Sequence, residues 1–194
     1  MRSLGVTMSV TLDGVVQGLA RPDEDTRGGF SYGGWGTRYV DEVLGREMAK
    51  GMAEPGDMLF GRRSWDDFRR VWKDRDDGNP YTSKMNAATK YVASSTLADV
   101  DAWPNSVLLP GDGVDSVRAL KRDGDRNLAI VGSAALVRSL HAAALIDRYT
   151  LLIHPLTLGA GTRLFDERAP LTELRLVDSV PTTTGIIIAR YERG

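Results

Sequence analysis

Three segments that could hold a phosphate each follow a short apolar stretch of the chain. They are Gly61-Arg62-Arg63-Ser64, Ser94-Ser95-Thr96 and Gly132-Ser133-Ala134-Ala135-Leu136. In open α/β sheets, ligands bind beyond the carboxyl ends of the strands, where free N–H groups at helix N-termini favour an anion. Each segment taken alone also fits a turn, a helix cap or tight packing of a helix on a strand. Their shared position favours a nucleotide site, although the dinucleotide fingerprint of three spaced glycines is absent.

The titratable side chains leave few options for acid–base chemistry. Asp41 is the candidate for contact with a substrate ring. The neighbouring Glu42 is expected on the solvated face of the helix. The alternative for Asp41 is that it also lies on that solvated face. The chain has no cysteine and two histidines, His141 and His154. Disulfides, thiolate metal sites and a cysteine nucleophile are therefore excluded, and a histidine-based triad or metal site would lack partners.

Aromatic side chains could form a wall against a flat heterocycle. The candidates are Trp35, which lies in a glycine-rich segment, Tyr39, Trp65 and Phe68. Aromatic rings offer a large apolar surface that stacks on planar ligands, but their more common position is the core of the domain.

The periodicity of apolar residues predicts the elements that would position these side chains. Predicted strands cover residues 3–12, 57–61, 90–93, 106–109, 128–131, 147–154, 174–180 and 185–191, and predicted helices cover 38–53, 64–72 and 82–88, with two more following residues 112 and 133. Residues 13–36 form a long loop, and loops of this length are usually functional or mobile. The alternation of strands and helices predicts an α/β fold whose mixed, mostly parallel sheet ends in an antiparallel hairpin.

Composition and charge narrow the class of protein. The 194 residues are 42% hydrophobic and 26% charged, with a formal net charge of −1. These values fit one globular domain, residues 1–194, and give no electrostatic case for binding nucleic acid or an anionic membrane. Asp13 comes too early for a signal peptide, and no apolar run approaches the roughly 18 residues of a membrane helix. We therefore expect a cytoplasmic protein.

The apolar run at residues 186–188 bears on oligomeric state. A continuous apolar run favours a strand that is covered on both faces. The cover is either the helices of the domain itself or a second subunit in a homodimer.

In their order along the chain, these segments resemble the dihydrofolate reductase superfamily and, more closely, the RibD C-terminal domain family, the reductase domain of the bacterial bifunctional riboflavin-biosynthesis protein. The resemblance runs nearly end to end. The similar segments are residues 10–14 (VTLDG), 59–65 (LFGRRSW), 90–97 (KYVASSTL), 130–133 (IVGS), 136–137 (LV), 145–147 (LID), 154–155 (HP), 158–161 (LGAG) and 164–165 (LF). The resemblance implies a three-layer α/β/α fold, NADPH as the cofactor and a tendency of such domains to form dimers.

The resemblance also implies roles for individual residues. Segments 61–64 and 132–136 would hold the cofactor phosphates, and segment 94–96 would face the adenosine end. The residues near the nicotinamide would be Met8, Ser9, Val15 and Val16. The substrate would lie beside the long loop and the first helix.

The sequence is compatible with two functions. The first is an NADPH-dependent reductase of a small nitrogen heterocycle, either a ribosylaminopyrimidine of the riboflavin pathway or a pterin. The second is a nucleotide-binding or regulatory domain without turnover, which is favoured by the absence of an unambiguous proton donor. The zinc deaminase activity of the bifunctional protein is excluded because its metal site needs cysteines.

Overall fold

The computed structural model describes residues 1–194, which form eight strands and five helices. In chain order these are β1 (Leu4–Thr11), α1 (Glu42–Ala53), β2 (Gly56–Gly61), α2 (Arg62–Trp72), α3 (Pro80–Ala87), β3 (Lys90–Ser94), β4 (Ser106–Pro110), α4 (Val114–Asp123), β5 (Asn127–Val131), α5 (Ala134–Ala142), β6 (Arg148–His154), β7 (Leu174–Pro181) and β8 (Ile187–Arg193). Two short 3₁₀ turns, Arg27–Gly29 and Thr37–Tyr39, lie between β1 and α1. None of the helices is long and apolar enough to cross a membrane.

The strands form one sheet in the order β4-β3-β2-β5-β1-β6-β8-β7. The pairs β2–β3, β2–β5 and β3–β4 are parallel, whereas β6–β8 and β7–β8 are antiparallel. The predicted fold class, a mixed and mostly parallel sheet with a terminal antiparallel hairpin, is confirmed.

The chain divides into two compact units. Unit 1 comprises residues 1–6 and 49–147, and unit 2 comprises residues 7–48 and 148–194. The expectation of a single domain over 1–194 remains a prediction.

Unit 1 has an aromatic core under the helices that follow β2. Phe60, Trp65 and Trp103 are buried there, together with Met85 and Val92. The start of α3 follows directly from its sequence. The Asn79 side chain accepts a hydrogen bond from the Tyr81 N–H at 2.9 Å, and Pro80 occupies the first helical position, where a missing N–H costs nothing.

Unit 2 has two small apolar clusters. One contains Val15, Phe30 and Trp35, and the other contains Ile186 and Ile188 with Leu152. The predicted helix of residues 38–53 begins later than expected. Val40 has an extended conformation after the 3₁₀ turn, so α1 itself starts at Glu42.

Candidate functional site

Two turns in unit 1 that were predicted to bind phosphate are joined to each other by hydrogen bonds. The Gly61 N–H donates to the Ser133 hydroxyl at 3.0 Å, and the Ser133 N–H donates to the Ser64 hydroxyl at 2.9 Å. The starts of α2 and α5 are therefore adjacent. Neither helix has a side-chain hydrogen bond at its N-terminal cap, so both present backbone N–H groups of the kind that bind anions.

The backbone at the start of α5 explains why a glycine and small residues occur there. Gly132 and Ser133 have φ angles of +71° and +58°, in the left-handed region that glycine adopts most easily. A Cβ added to Gly132 would lie 3.4 Å from the Ser64 Oγ. Ala134 and Ala135 follow with short side chains, and Leu136 is buried, which gives it a packing role.

The arginine pair at the start of α2 divides its contacts unequally. Arg62 donates to the Thr96 hydroxyl at 2.6 Å and lies 4.0 Å from the Asp66 carboxylate. Arg63 is exposed and has neither a hydrogen bond nor an ion pair within the chain. One guanidinium thus links α2 to the segment after β3, and the other is available to a ligand.

In the segment after β3, the hydroxyl groups differ in their surroundings. The buried Ser94 hydroxyl accepts hydrogen bonds from the N–H groups of Thr96 at 3.1 Å and Leu97 at 3.0 Å, which makes it part of a turn. Ser95 is exposed. The Thr96 hydroxyl, bonded to Arg62, lies at the edge of the predicted phosphate site.

The residues expected near a nicotinamide belong to unit 2. Met8 and Val15 are buried, whereas Ser9 and Val16 are partly exposed. The Val16 N–H donates to the Thr162 carbonyl at 2.9 Å. The segment after β1 is therefore fixed to the segment after β6.

Asp41, the predicted catalytic residue, lies before α1 and caps it, whereas the sequence placed it inside the helix. One carboxylate oxygen accepts from the Leu44 N–H at 2.8 Å. The other accepts from the Thr183 N–H at 2.7 Å, the Thr183 hydroxyl at 2.6 Å and the Thr184 N–H at 3.2 Å. These hydrogen bonds, led by the one from Leu44, lower the pKa of Asp41 to about 2. The carboxylate is ionised and its acceptor positions are occupied by the chain itself.

Three of the aromatic residues predicted to face the substrate are packed against other side chains. Trp35 is 7% exposed, donates its ring N–H to the Gln17 carbonyl at 2.7 Å and makes an edge contact with His154. Tyr39 also contacts the His154 ring, and its own ring lies under the Arg38 guanidinium. Trp65 is 2% exposed in the core of unit 1. Trp35 and Trp65 are thus packed in the interior of their units, and the aromatic wall against a substrate stays a prediction.

His154 is buried between Trp35 and Tyr39. Burial lowers its pKa, against the opposing effect of hydrogen bonding to backbone carbonyls such as that of Leu152, 2.9 Å from the Nδ1. Burial thus favours the neutral imidazole, which packs edge to face against the rings of Trp35 and Tyr39.

A cavity that sequence reasoning missed lies in unit 2. It has a volume of about 560 Å³ between residues 27–32 and residues 160–162, and we refer to it as the loop cavity. Its aromatic lining comes from Phe30 and Tyr32, which belong to the same long loop as Trp35. The sequence held one signal for it, namely two aromatic residues directly after the pair Gly28-Gly29. A glycine pair lets the backbone turn sharply and leaves room beside the rings.

The sequence of the chain is similar to those of known proteins. The profile of the RibD C-terminal domain matches residues 2–188. The chain belongs to the RibD C-terminal domain family. Uncharacterized protein YyaP of Bacillus subtilis (strain 168) is 27% identical over 140 residues, which covers 69% of this chain and 72% of YyaP.

Solved structures with the same fold include three that cover 99–100% of this chain. A protein of Shewanella sp. PV-4 named for riboflavin biosynthesis has a TM-score of 0.71 at 21% identity, with 99% of its own chain covered. A pyrimidine reductase-like protein of Corynebacterium diphtheriae has a TM-score of 0.64 at 11% identity, with 92% covered. Dihydrofolate reductase of Enterococcus faecalis, complexed with NADP(H), has a TM-score of 0.63 at 13% identity, with 96% covered. These similarities establish the dihydrofolate reductase-like fold of the chain.

Proposed function

We propose that this member of the RibD C-terminal domain family is a reductase that binds NADPH and transfers hydride to a small nitrogen heterocycle. The observation that carries the proposal is the pair of adjacent, uncapped helix starts at Gly61 and Ser133, beside an arginine that has no partner in the chain. Family membership and the reductase-type fold support it. The two candidate substrates are a ribosylaminopyrimidine of the riboflavin pathway and a pterin.

The residues of unit 1 fit a dinucleotide with an additional phosphate. The N–H groups at the starts of α2 and α5 would bind the pyrophosphate, because helix N-termini attract anions. Arg63, with Arg62 held at Thr96, would bind the 2′-phosphate through charge-assisted hydrogen bonds. When bound, NADPH supplies the hydride.

In unit 2 the chain would orient the substrate and exclude water from it. The Asp41 carboxylate is ionised and already accepts hydrogen bonds from Thr183 and Thr184. We therefore propose that it holds the start of α1 and does not deliver a proton. The proton then comes from water.

The experiment is a cofactor titration followed by a turnover assay. We expect NADPH to bind at least tenfold more tightly than NADH, since each charge-assisted hydrogen bond to the phosphate is worth roughly 1.5–3 kcal/mol before compensation. NADPH oxidation is then followed against a panel of pterins and pyrimidines. Equal affinities for the two cofactors would contradict the phosphate site. Tight NADPH binding without oxidation by any compound would favour the alternative, a nucleotide-binding domain without turnover.

A further inference from the structure

The walls of the loop cavity are joined by one side chain, that of Gln17. Its amide nitrogen donates to the carbonyls of Asp25 at 3.1 Å and Arg27 at 3.0 Å, at the base of one wall. Its amide oxygen accepts from the Thr162 N–H at 2.9 Å and the Thr162 hydroxyl at 3.1 Å, in the other wall. Gln17 is 6% exposed and uses its full hydrogen-bonding capacity in these contacts. The amide therefore fixes the separation of the walls.

Phe30 closes one side of the cavity and depends on a glycine to do so. A Cβ at Gly161 would lie 2.7 Å from a ring carbon of Phe30 and 2.9 Å from the Val15 side chain. Only a residue without a side chain lets the ring lie against this turn. Tyr32 meets Phe30 edge to face, with ring centroids 5.8 Å apart, and is itself 50% exposed. Phe30 is only 6% exposed, so Tyr32 is the accessible ring and Phe30 packs behind it.

The rim of the cavity carries unused polar groups. Arg27 binds the Asp25 carboxylate through its Nε at 2.7 Å and through its Nη2, which leaves the other donors of the guanidinium free. The hydroxyls of Ser31 and Tyr32 have no hydrogen-bond partner within the chain. At Gly28 and Gly29 an added Cβ would meet no atom within 4 Å, so the backbone there is open to a ligand.

We propose that the loop cavity is a binding site for a flat heteroaromatic molecule that carries an anionic group, and that Gln17 is its positioning residue. The ligand ring lies on the exposed Tyr32, which the buried Phe30 supports edge to face, and the anion lies at Arg27 and the hydroxyls of Ser31 and Tyr32. The volume of about 560 Å³ falls in the range of small-molecule sites and exceeds what a bare bicyclic ring fills. That this molecule is the substrate of the chain rests on the proposed reductase function, whereas the binding does not.

The test is direct binding of pterin-6-carboxylate, a fluorescent heteroaromatic acid, to the full chain without NADPH. Its neutral analogue, 6-hydroxymethylpterin, is titrated in parallel and should bind at least tenfold more weakly. Arg27→Met and Tyr32→Ala should each weaken pterin-6-carboxylate binding by about tenfold, as expected for a charge-assisted hydrogen bond and a stacked ring. Arg21→Met is the matched control, because Arg21 lies exposed in the same loop, does not line the cavity and pairs with Asp23 at 3.8 Å. It should leave the affinity unchanged.

Two further variants test Gln17. Gln17→Glu keeps the shape but turns a carboxylate oxygen toward the carbonyls of Asp25 and Arg27, and it should abolish binding of pterin-6-carboxylate. Thr162→Val removes one hydrogen bond to Gln17 and keeps the volume, so it serves if the glutamate variant does not fold, and should weaken binding about threefold to tenfold. The conservative variant Thr162→Ser keeps the hydroxyl and should bind pterin-6-carboxylate with the affinity of the wild type.

The outcomes separate this proposal from the reductase proposal. No binding of either pterin, equal binding of both, or binding that Arg27→Met and Tyr32→Ala leave intact would overturn the loop-cavity site. The NADPH titration depends on residues of unit 1 and is read independently. If the wild-type chain binds pterin-6-carboxylate but not NADPH, the reductase proposal is contradicted and the loop-cavity proposal is retained.

Discussion

The Asp41 carboxylate connects two distant parts of the chain. Its hydrogen bonds run to Leu44 at the start of α1 and to Thr183 and Thr184 in the turn between β7 and β8. The bond partners at the turn are 142 and 143 positions away in sequence. Such a carboxylate stabilises the folded state by accepting bonds that only the ionised form can accept in full.

Asp41→Asn should lower turnover less than tenfold and leave NADPH affinity unchanged. Asparagine still caps a helix, but its amide cannot accept all the hydrogen bonds from Thr183 and Thr184. A carboxylate acting in proton transfer would instead cost about 10²- to 10⁴-fold. Steady-state kinetics decide between these ranges, with Glu42→Gln as the neighbouring control. A loss of a hundredfold or more would return Asp41 to the substrate ring.

The same variant has a signature in pH dependence. Because the pKa of Asp41 is lowered to about 2, the unfolded chain binds its proton first as the pH falls. The contribution of Asp41 to stability is therefore complete above its ordinary pKa near 4 and is lost as the pH falls toward 2. Urea unfolding midpoints measured between pH 6 and pH 2 should fall more steeply for the wild type than for Asp41→Asn. Parallel curves would show that Asp41 has an ordinary pKa.

Arg63 is the residue that should distinguish the two nicotinamide cofactors. It is exposed at the first turn of α2 and has no partner in the chain, unlike Arg62. We expect Arg63→Met to weaken NADPH binding about tenfold or more and to leave NADH binding nearly unchanged, because NADH lacks the 2′-phosphate.

The control for Arg63 lies on the same helix. Arg70 is exposed in the last turn of α2 and lies 3.8 Å from Asp67, so Arg70→Met removes the same charge from the other end. Fluorescence titrations of both variants with both cofactors give the comparison. If both variants weaken NADPH binding equally, Arg63 contributes only through its positive charge and not through a direct contact with the 2′-phosphate.

At the level of elements, sequence patterns identified nearly every strand and helix of this fold. Strand β1, for example, alternates buried Leu4, Val6, Met8 and Val10 with less buried neighbours, which is the period of a half-buried strand. The start of α1 was misplaced because residues 37–39 form a separate 3₁₀ turn, and an apolar spacing of three or four residues fits both kinds of helix.

The candidate site was less predictable than the fold. The glycine and arginine segments could be proposed from residue type, since close backbone approach favours glycine and anion binding favours arginine, and their role stays a prediction. The packing of Trp35 was not, since its ring contacts His154 and clusters with Leu156 and Leu158, all far away in the chain. The loop cavity depends on contacts of Gln17 with Thr162 across 145 positions, which no local pattern encodes.

Gly132 tests the turn that joins the starts of α2 and α5. Its φ of +71° strains any residue that has a side chain, and an added Cβ would contact the Ser64 Oγ at 3.4 Å. Gly132→Val should abolish NADPH binding while the chain still folds, because the added methyl groups occupy the space in which a pyrophosphate approaches the N–H groups.

The matched variant is Gly78→Val. Gly78 has a φ of +67° and an added Cβ there would meet nothing, so the backbone strain is similar and the site is untouched. Both variants should lose stability by about 1–2 kcal/mol, the cost of a left-handed conformation. Circular dichroism establishes folding, and NADPH titration then separates the two. Normal binding by folded Gly132→Val would remove the pyrophosphate site.

At the scale of the whole molecule, the edge of the sheet at β7 bears on self-association. Ile186 and Ile188 are buried, but Ile187 between them is 47% exposed. Leu176 on β7 is 52% exposed and pairs with Tyr191, which lies on the same side of β8 as Ile187. Ile186 and Ile188 are thus covered by their own unit, whereas on the other side of β8 Ile187 is exposed and Ala189 is buried.

We predict that this face pairs with a second copy of the chain to form a homodimer. The edge strand β7 exposes Leu176 and Val177, and Ile187 is exposed on the adjacent β8; exposed apolar side chains at a sheet edge are a frequent site of association. The wild type should sediment as a dimer at micromolar concentration, and Ile187→Lys and Leu176→Lys should shift it toward the monomer. The control is Val107→Lys, because Val107 is 44% exposed on β4, at the opposite edge of the sheet order, and is not part of the predicted interface. A monomeric wild type, or a dimer that only Val107→Lys dissociates, would remove this interface. Neither result bears on the NADPH site, because the residues of that site lie in unit 1, whereas Ile187 and Leu176 lie in unit 2.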